Sequence, residues 1–282
     1  MSEQGIRPSP ISGLWYEGNP QLLAQKVDGY LDDARLPDLV GRVVAVMSPH
    51  AGHIYSGSVA GYAFASVRGM SPDLVVVIGP MHHPYSGSIL VSNHDAYSTP
   101  LGTVPVDQEI IHQLDLTLME DFHTSLTPIN RDKEHSVEIV LPFLQRALHG
   151  KWSLIPLMVR EQTQQVSENL GKALARILEG RKYLLVASTD LSHFFAEKQA
   201  CQLDKEMLRQ VESFSPAGIF SADLMQTGFA CGLGALAAVL TAAKELGANK
   251  VQILKHATSG EITGDYDRVV GYGAAVVLNT PQ

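Results

Sequence analysis

The chain has 282 residues and 45% apolar content, enough to bury a large core in a water-soluble fold. A formal charge of −8, with no run of Lys or Arg, excludes a protein that grips a phosphate backbone, so no nucleic-acid partner is expected. Two cysteines, Cys201 and Cys231, make neither a disulfide framework nor a paired C-x-x-C zinc site, and the expected compartment is a reducing cytoplasm.

The opening stretch MSEQGIRPSPISG has no apolar leader core, so no signal peptide is expected. Residues 21–34 carry the apolar stripe of a helix. RVVAVM (42–47) is near-continuously apolar, as a strand covered on both faces should be, and a helix rich in small residues follows at 57–67. LVVVI (74–78) predicts a second such strand. Residues 86–106 are less regular and suit a hairpin or an edge excursion. Asp107 is a good N-cap for a helix over 107–114. In the helical pattern of 135–148, Pro142 marks a kink or a boundary. Further strands are predicted at 153–159, 183–188, 250–255 and 273–278, and further helices at 165–178, 198–213 and 231–246. The longest apolar stretch, 229–243, is too short to span a bilayer and reads as a buried helix, so no membrane partner is expected. Strands alternating with helices, without repeat or linker, predict one α/β domain over 1–282. Its form is a three-layer α/β/α sandwich around a mainly parallel or mixed central sheet.

Three predicted strands end in histidine-bearing loops: RVVAVM runs into SPHAGHIYSG, LVVVI into GPMHHPYSG, and YLLVAS into TDLSHF. Ligand sites in open parallel sheets form at the carboxyl ends of the strands. If these strands are parallel neighbours, His50, His82 or His83, Asp190 and His193 converge there, a set suited to metal ligation or proton transfer. Each histidine has a plainer reading as a hydrogen-bonded loop residue, and Pro49, Gly52, Gly57, Gly79 and Pro80 are ordinary turn formers. In EHSVEI, His135 falls at a helix start with Glu138 one turn on and on the same face. It is either an acid–base group or part of a capped terminus. Cys231 opens an apolar helix, where a thiolate is favoured, although a small buried cysteine fits the same pattern. Cys201 sits inside a helical pattern and reads as structural. The nucleophile elbow, the nucleotide-binding glycine loops and H-E-x-x-H are absent.

Taken in order, PHAGHIYSG, GPMHH, EHSVEIVLPFL, STDLSH and the late ACG resemble the Memo family, whose bacterial and archaeal members are called AmmeMemoRadiSam system protein B. The resemblance runs from residue 40 to the C-terminus. It implies the α/β sandwich of the LigB-type class III extradiol dioxygenases, which use non-haem Fe(II). It also implies metal ligation by His50, His82 and Cys231, with His135, Asp190 and His193 lining the same cavity as acid–base or orienting groups. Those dioxygenases use a carboxylate where this pattern has Cys231, which softens the site toward Cu or Zn without excluding Fe(II). His53 stands where a Tyr is common, adding an imidazole nearby. The expected function is therefore a mononuclear non-haem metal site, Fe(II) first and Cu or Zn as alternatives, performing dioxygenase-like redox chemistry on a small molecule or peptide. The rivals are a non-catalytic module that binds a partner, such as a radical-SAM protein, and a metal-dependent hydrolase.

Overall fold

The structure is a computed structural model that describes residues 5–130 and 133–281. The first four residues of the stretch read for a leader therefore lie outside the described residues. Strand β1 (Ile6–Arg7) leads to helix α1 (Pro20–Asp33). Asn19 caps α1 by accepting from the Leu22 N–H, and Pro20 occupies the first turn, where its missing donor costs nothing. Next come β2 (Arg42–Ser48), α2 (His53–Ala65) and β3 (Leu74–Pro80). The irregular region resolves into β4 (Ile89–Ser92) and a hairpin of β5 (Ala96–Thr99) and β6 (Gly102–Pro105).

Asp107 caps α3 (Gln108–Phe122), which runs eight residues past its expected end and stops where His123 turns left-handed at φ 52°. After β7 (Leu126–Ile129), a single 3-10 turn at Glu138–Val140 enters α4 (Leu141–Ala147), with Pro142 in its first turn as a boundary. Strand β8 (Ser153–Val159), α5 (Gln164–Leu178) and β9 (Tyr183–Ser188) follow. The chain ends with β10 (His193–Phe195), α6 (Glu197–Glu212), α7 (Pro216–Leu224), α8 (Leu233–Glu245), β11 (Lys250–Thr258), α9 (Gly260–Thr263) and β12 (Val269–Asn279).

The main sheet has the order β10-β12-β2-β9-β3-β8-β4-β7, with β11 also paired to β12. Its centre, β2-β9-β3-β8, is parallel throughout, and antiparallel β12 and β4 flank it. These central strands are buried on both faces, which explains their unbroken apolar runs. Helices α1, α2 and α4 pack together as one layer, and α5, α7 and α8 as another. The crossovers β2-α2-β3 and β8-α5-β9 run in opposite directions along the sheet, so the right-handed rule places α2 and α5 on opposite faces. Helix α8 is buried from Leu233 to Ala243, because it lies between the sheet and α5 and has no solvent face. Among the described residues no helix is long and apolar enough to cross a membrane.

Candidate metal centre

Strands β2, β9 and β3 are neighbours in register, with Met47 opposite Ala187 and Ala187 opposite Ile78. Their carboxyl ends are therefore level to within one residue. His50 lies two residues beyond Ser48, His82 two beyond Pro80 and Asp190 two beyond Ser188. The same offset from three level strand ends brings these side chains to one place.

The EHS loop supplies a third imidazole. Ser136 Oγ donates to the Pro80 carbonyl at 2.8 Å, and Ser188 Oγ donates to the Ser136 carbonyl at 2.5 Å. Gly79 permits this approach, since a Cβ there would stand 2.5 Å from Ser136 Oγ. His135 precedes the 3-10 turn rather than opening a helix, and Glu138 does not face it. Glu138 is buried on the other side. It pairs with Arg7 at 2.5 Å, accepts from Tyr16 Oη at 2.8 Å and is hydrogen-bonded to Ser9. A buried carboxylate must be paired, and the cation lies on that side. The acid that meets His135 is Glu134.

One donor atom from each of His50, His82 and His135 lies within 4.8 Å of the other two. The tautomers follow from the hydrogen bonds. Ser188 gives its proton to Ser136, so it must accept from His50 Nδ1, 3.1 Å away. Glu134 Oε1 accepts from His82 Nδ1 at 2.9 Å and lies 3.3 Å from His135 Nδ1. His50 and His82 thus carry their protons on Nδ1 and keep their lone pairs on Nε2, while His135 Nδ1 stands beside the same carboxylate oxygen. This is the anchored arrangement of metal-binding histidines. The carboxylate of Glu134 also accepts backbone N–H bonds from His82, His135 and Ser136, at 2.7, 2.9 and 2.9 Å. Burial opposes its ionisation, but these bonds and the neighbouring imidazoles prevail and hold it below the usual carboxylate range. Burial, reinforced by neighbouring imidazoles, pushes His50 and His135 down to about 3, so both rings are neutral at pH 7.

Cys231 touches this group through His50: its Sγ lies 3.1 Å from His50 Nε2 and accepts from the Asp190 N–H at 3.2 Å. It directly precedes Gly232, the cap of α8, and a Cβ on Gly232 would stand 2.7 Å from the Ser188 carbonyl. Burial, then the Asp190 charge, pushes the thiol up, so the helix terminus does not by itself produce a thiolate. Asp190 accepts from the His50 N–H at 2.7 Å, and burial raises its carboxyl to about 6. His193 lines the cleft with Nδ1 tied to the Leu191 carbonyl at 2.8 Å. His53 points away, bonded to the Ile139 carbonyl at 2.9 Å and packed on Phe143. His83 is exposed, and Cys201 is half-buried on α6.

A cleft of about 560 Å³ opens above His50, His82 and His135, with Asp190, His193 and Trp15 among its walls. The Trp15 ring lies 4.2 Å from that of His135. Glu134 and Trp15 are the residues that sequence reading missed. The first had a signal, since it opens the EHSVE motif beside His135. The second had none, because only tertiary packing returns the N-terminal segment to this edge.

A MEMO1 family protein of Nitrosopumilus maritimus is 30% identical over 274 residues, covering 95% of this chain and 98% of its own. Another, from Methanococcoides burtonii, is 35% identical over 276 residues, covering 96% of this chain and 100% of its own. A third, from Thermotoga neapolitana, is 33% identical over 283 residues, with coverage of 96% and 99%. Residues 7–276 match the family described as Memo-like protein. With that match and these relatives spanning nearly its whole length, the chain belongs to the Memo-like family.

Proposed function

We propose that the cleft holds one transition-metal ion and carries oxygen-dependent redox chemistry on a small molecule. The observation that supports this most is the set of three imidazoles, His50, His82 and His135, with one ring nitrogen of each within 4.8 Å of the others and with Nδ1 of His50 and His82 anchored by hydrogen bonds. Imidazole donors suit Fe, Cu and Zn, and Cys231 beside His50 adds a soft donor that favours Cu or Zn over a purely nitrogen set. His50 and His82 belong both to this set and to the set that the family resemblance implies. His135 is the third donor in this proposal, and Cys231 adjoins as a fourth.

When bound, a redox-active ion would supply electron exchange with dioxygen. The protein's own groups do the rest. Glu134 fixes the His82 ring by its Nδ1, lies 3.3 Å from His135 Nδ1 and offsets the cost of gathering the two rings. Asp190, titrating at about 6 and 4.0 Å from His50 Nε2, can hold or release a proton near neutral pH. His193 donates from Nδ1 to a carbonyl, so its Nε2 is the nitrogen that can accept a proton from a cleft molecule. Trp15 packs its ring against His135 on that side of the cleft.

The test is elemental analysis of anaerobically purified protein, reconstituted separately with Fe(II), Cu(I) and Zn(II), followed by oxygen uptake. Wild type should bind close to one equivalent, and His82→Ala and His135→Ala should lose it. Retention in His135→Ala with loss in Cys231→Ala would replace the third imidazole by the thiolate. A protein that binds only zinc and consumes no oxygen would favour the hydrolase, since three imidazoles also suit a zinc-bound water. No metal under any condition would end the metalloenzyme proposal.

A further inference from the structure

The walls of the cleft have a chemistry that the metal proposal does not use. Leu14, Ile54 and Phe194 line it yet are 80, 67 and 61% exposed, and Trp15 and Tyr55 are exposed beside them. Apolar side chains gathered around a concave opening, rather than scattered, mark a surface that another molecule covers. Among the described lining residues Arg268 is the one arginine or lysine. Its guanidinium carbon lies 5.4 Å from the centre of the Phe194 ring, and no described carboxylate forms an ion pair with it.

Phe194 is itself held in an unusual state. The pairing of β10 with β12 slips between His193 and Phe195, so Phe194 is the bulged residue. Its φ is +64°, a left-handed conformation that a bulky side chain adopts only against strain. The ring stands largely exposed beside Arg268 rather than packed in the core, and strain of this kind collects at ligand clamps.

We infer that the cleft takes a small monoanionic molecule with a flat apolar body, its carboxylate on Arg268 and its body against the aromatic walls. The inference rests on the metal proposal for one point only, that the far end of the body meets the histidines. Three observations select this class. The cleft, at about 560 Å³, lies within the usual size range of small-molecule sites. The walls are aromatic and aliphatic, which suits a planar body. A single planar guanidinium matches one carboxylate in a two-point contact, whereas a phosphate dianion in a chain of charge −8 would call for more cations than one.

The test uses 2-naphthoate, its neutral isostere 2-naphthamide, and 2-naphthyl phosphate, titrated calorimetrically into metal-free protein. Wild type should bind naphthoate at least about tenfold more tightly than naphthamide, the margin of a charged two-point contact. Arg268→Gln should bring that ratio to near unity with melting temperature unchanged, Arg268→Lys should restore part of it, and Phe194→Gly should weaken naphthoate. Equal binding of naphthoate and naphthamide by wild type would overturn the inference. So would a ratio unchanged in Arg268→Gln, tighter binding of the phosphate than of the carboxylate, or no binding at all. Because the titration is done without metal, its failure is separate from that of the metal proposal. A protein that discriminates through Arg268 but never takes up an ion loses only the latter.

Discussion

Replacing Glu134 by Gln tests whether the carboxylate organises the histidines. The side chain keeps its shape but loses its charge and one acceptor position. In the native protein Oε1 accepts from His82 Nδ1 and from the N–H groups of His135 and Ser136, while Oε2 accepts from the His82 N–H. The better orientation of an amide leaves its oxygen at Oε1 and sets its NH2 against the His82 N–H. That buried donor then lacks an acceptor, at about 1–3 kcal/mol, and the three remaining bonds lose their charge assistance. The total is about 2–4 kcal/mol, or roughly 4–8 °C in melting temperature for a domain of this size. Metal affinity should fall about 10–100-fold, as when an anchoring partner of a ligating imidazole is removed. The carboxyl is depressed in the native state, so its stabilisation is complete above the ordinary value of 4.5 and is lost only as pH falls through the lower native value. The gap between wild type and Glu134→Gln should therefore hold from pH 8 to about 5 and close in strong acid. Calorimetric melts at several pH values and competition titrations with a chromophoric chelator read both quantities. A variant that melts with wild type and holds metal equally well would refute the role given to Glu134.

Other perturbations follow from the same contacts. Arg7→Met should destabilise the protein by about 3–5 kcal/mol in chemical denaturation, because it strands the Glu138 carboxylate in the interior; adding Glu138→Gln should recover part of the loss. Burial first holds His50, His53 and His135 at about 3, 4 and 3, against an ordinary value of 6.5. Between pH 6.5 and about 4 the unfolded chain binds protons that the metal-free native state refuses. Stability should drop there by up to about 1.4 kcal/mol per pH unit for each ring, and a flat profile in urea melts would contradict this burial. Gly79→Ala should push the Ser136 loop off β3, costing about 1–3 kcal/mol and lowering metal content together, which melts and elemental analysis on one sample would show.

Much of the fold was legible because the central strands announce themselves. A strand buried on both faces needs a near-continuous apolar run, and RVVAVM, LVVVI, SLIPLMV and YLLVAS are such runs, with polar residues only at their ends. Pro142 flagged a kink or a boundary within 135–148, and the structure makes it a boundary, with the proline in the first turn of α4. His50, His82 and Asp190 were legible for a related reason: a ligand-bearing loop in a parallel sheet starts where a strand stops, and strand ends can be counted. The region of β4 to β6 was less so, because strands of four residues carry little periodic signal.

The sequence by itself determined the layered α/β class and the strand ends at which chemistry-bearing side chains emerge, because burial and turn chemistry are local and leave periodic marks. The tertiary structure alone decided which of those groups meet. It turned Glu138 toward Arg7 and left Glu134 to hold His82 and His135, since a buried carboxylate goes where its donors are. It set Cys231 against His50, 181 residues apart in the chain. It also brought Trp15 from one end and Arg268 from the other to the same cleft. Contacts of that range depend on how elements stack, and no spacing along the chain records it.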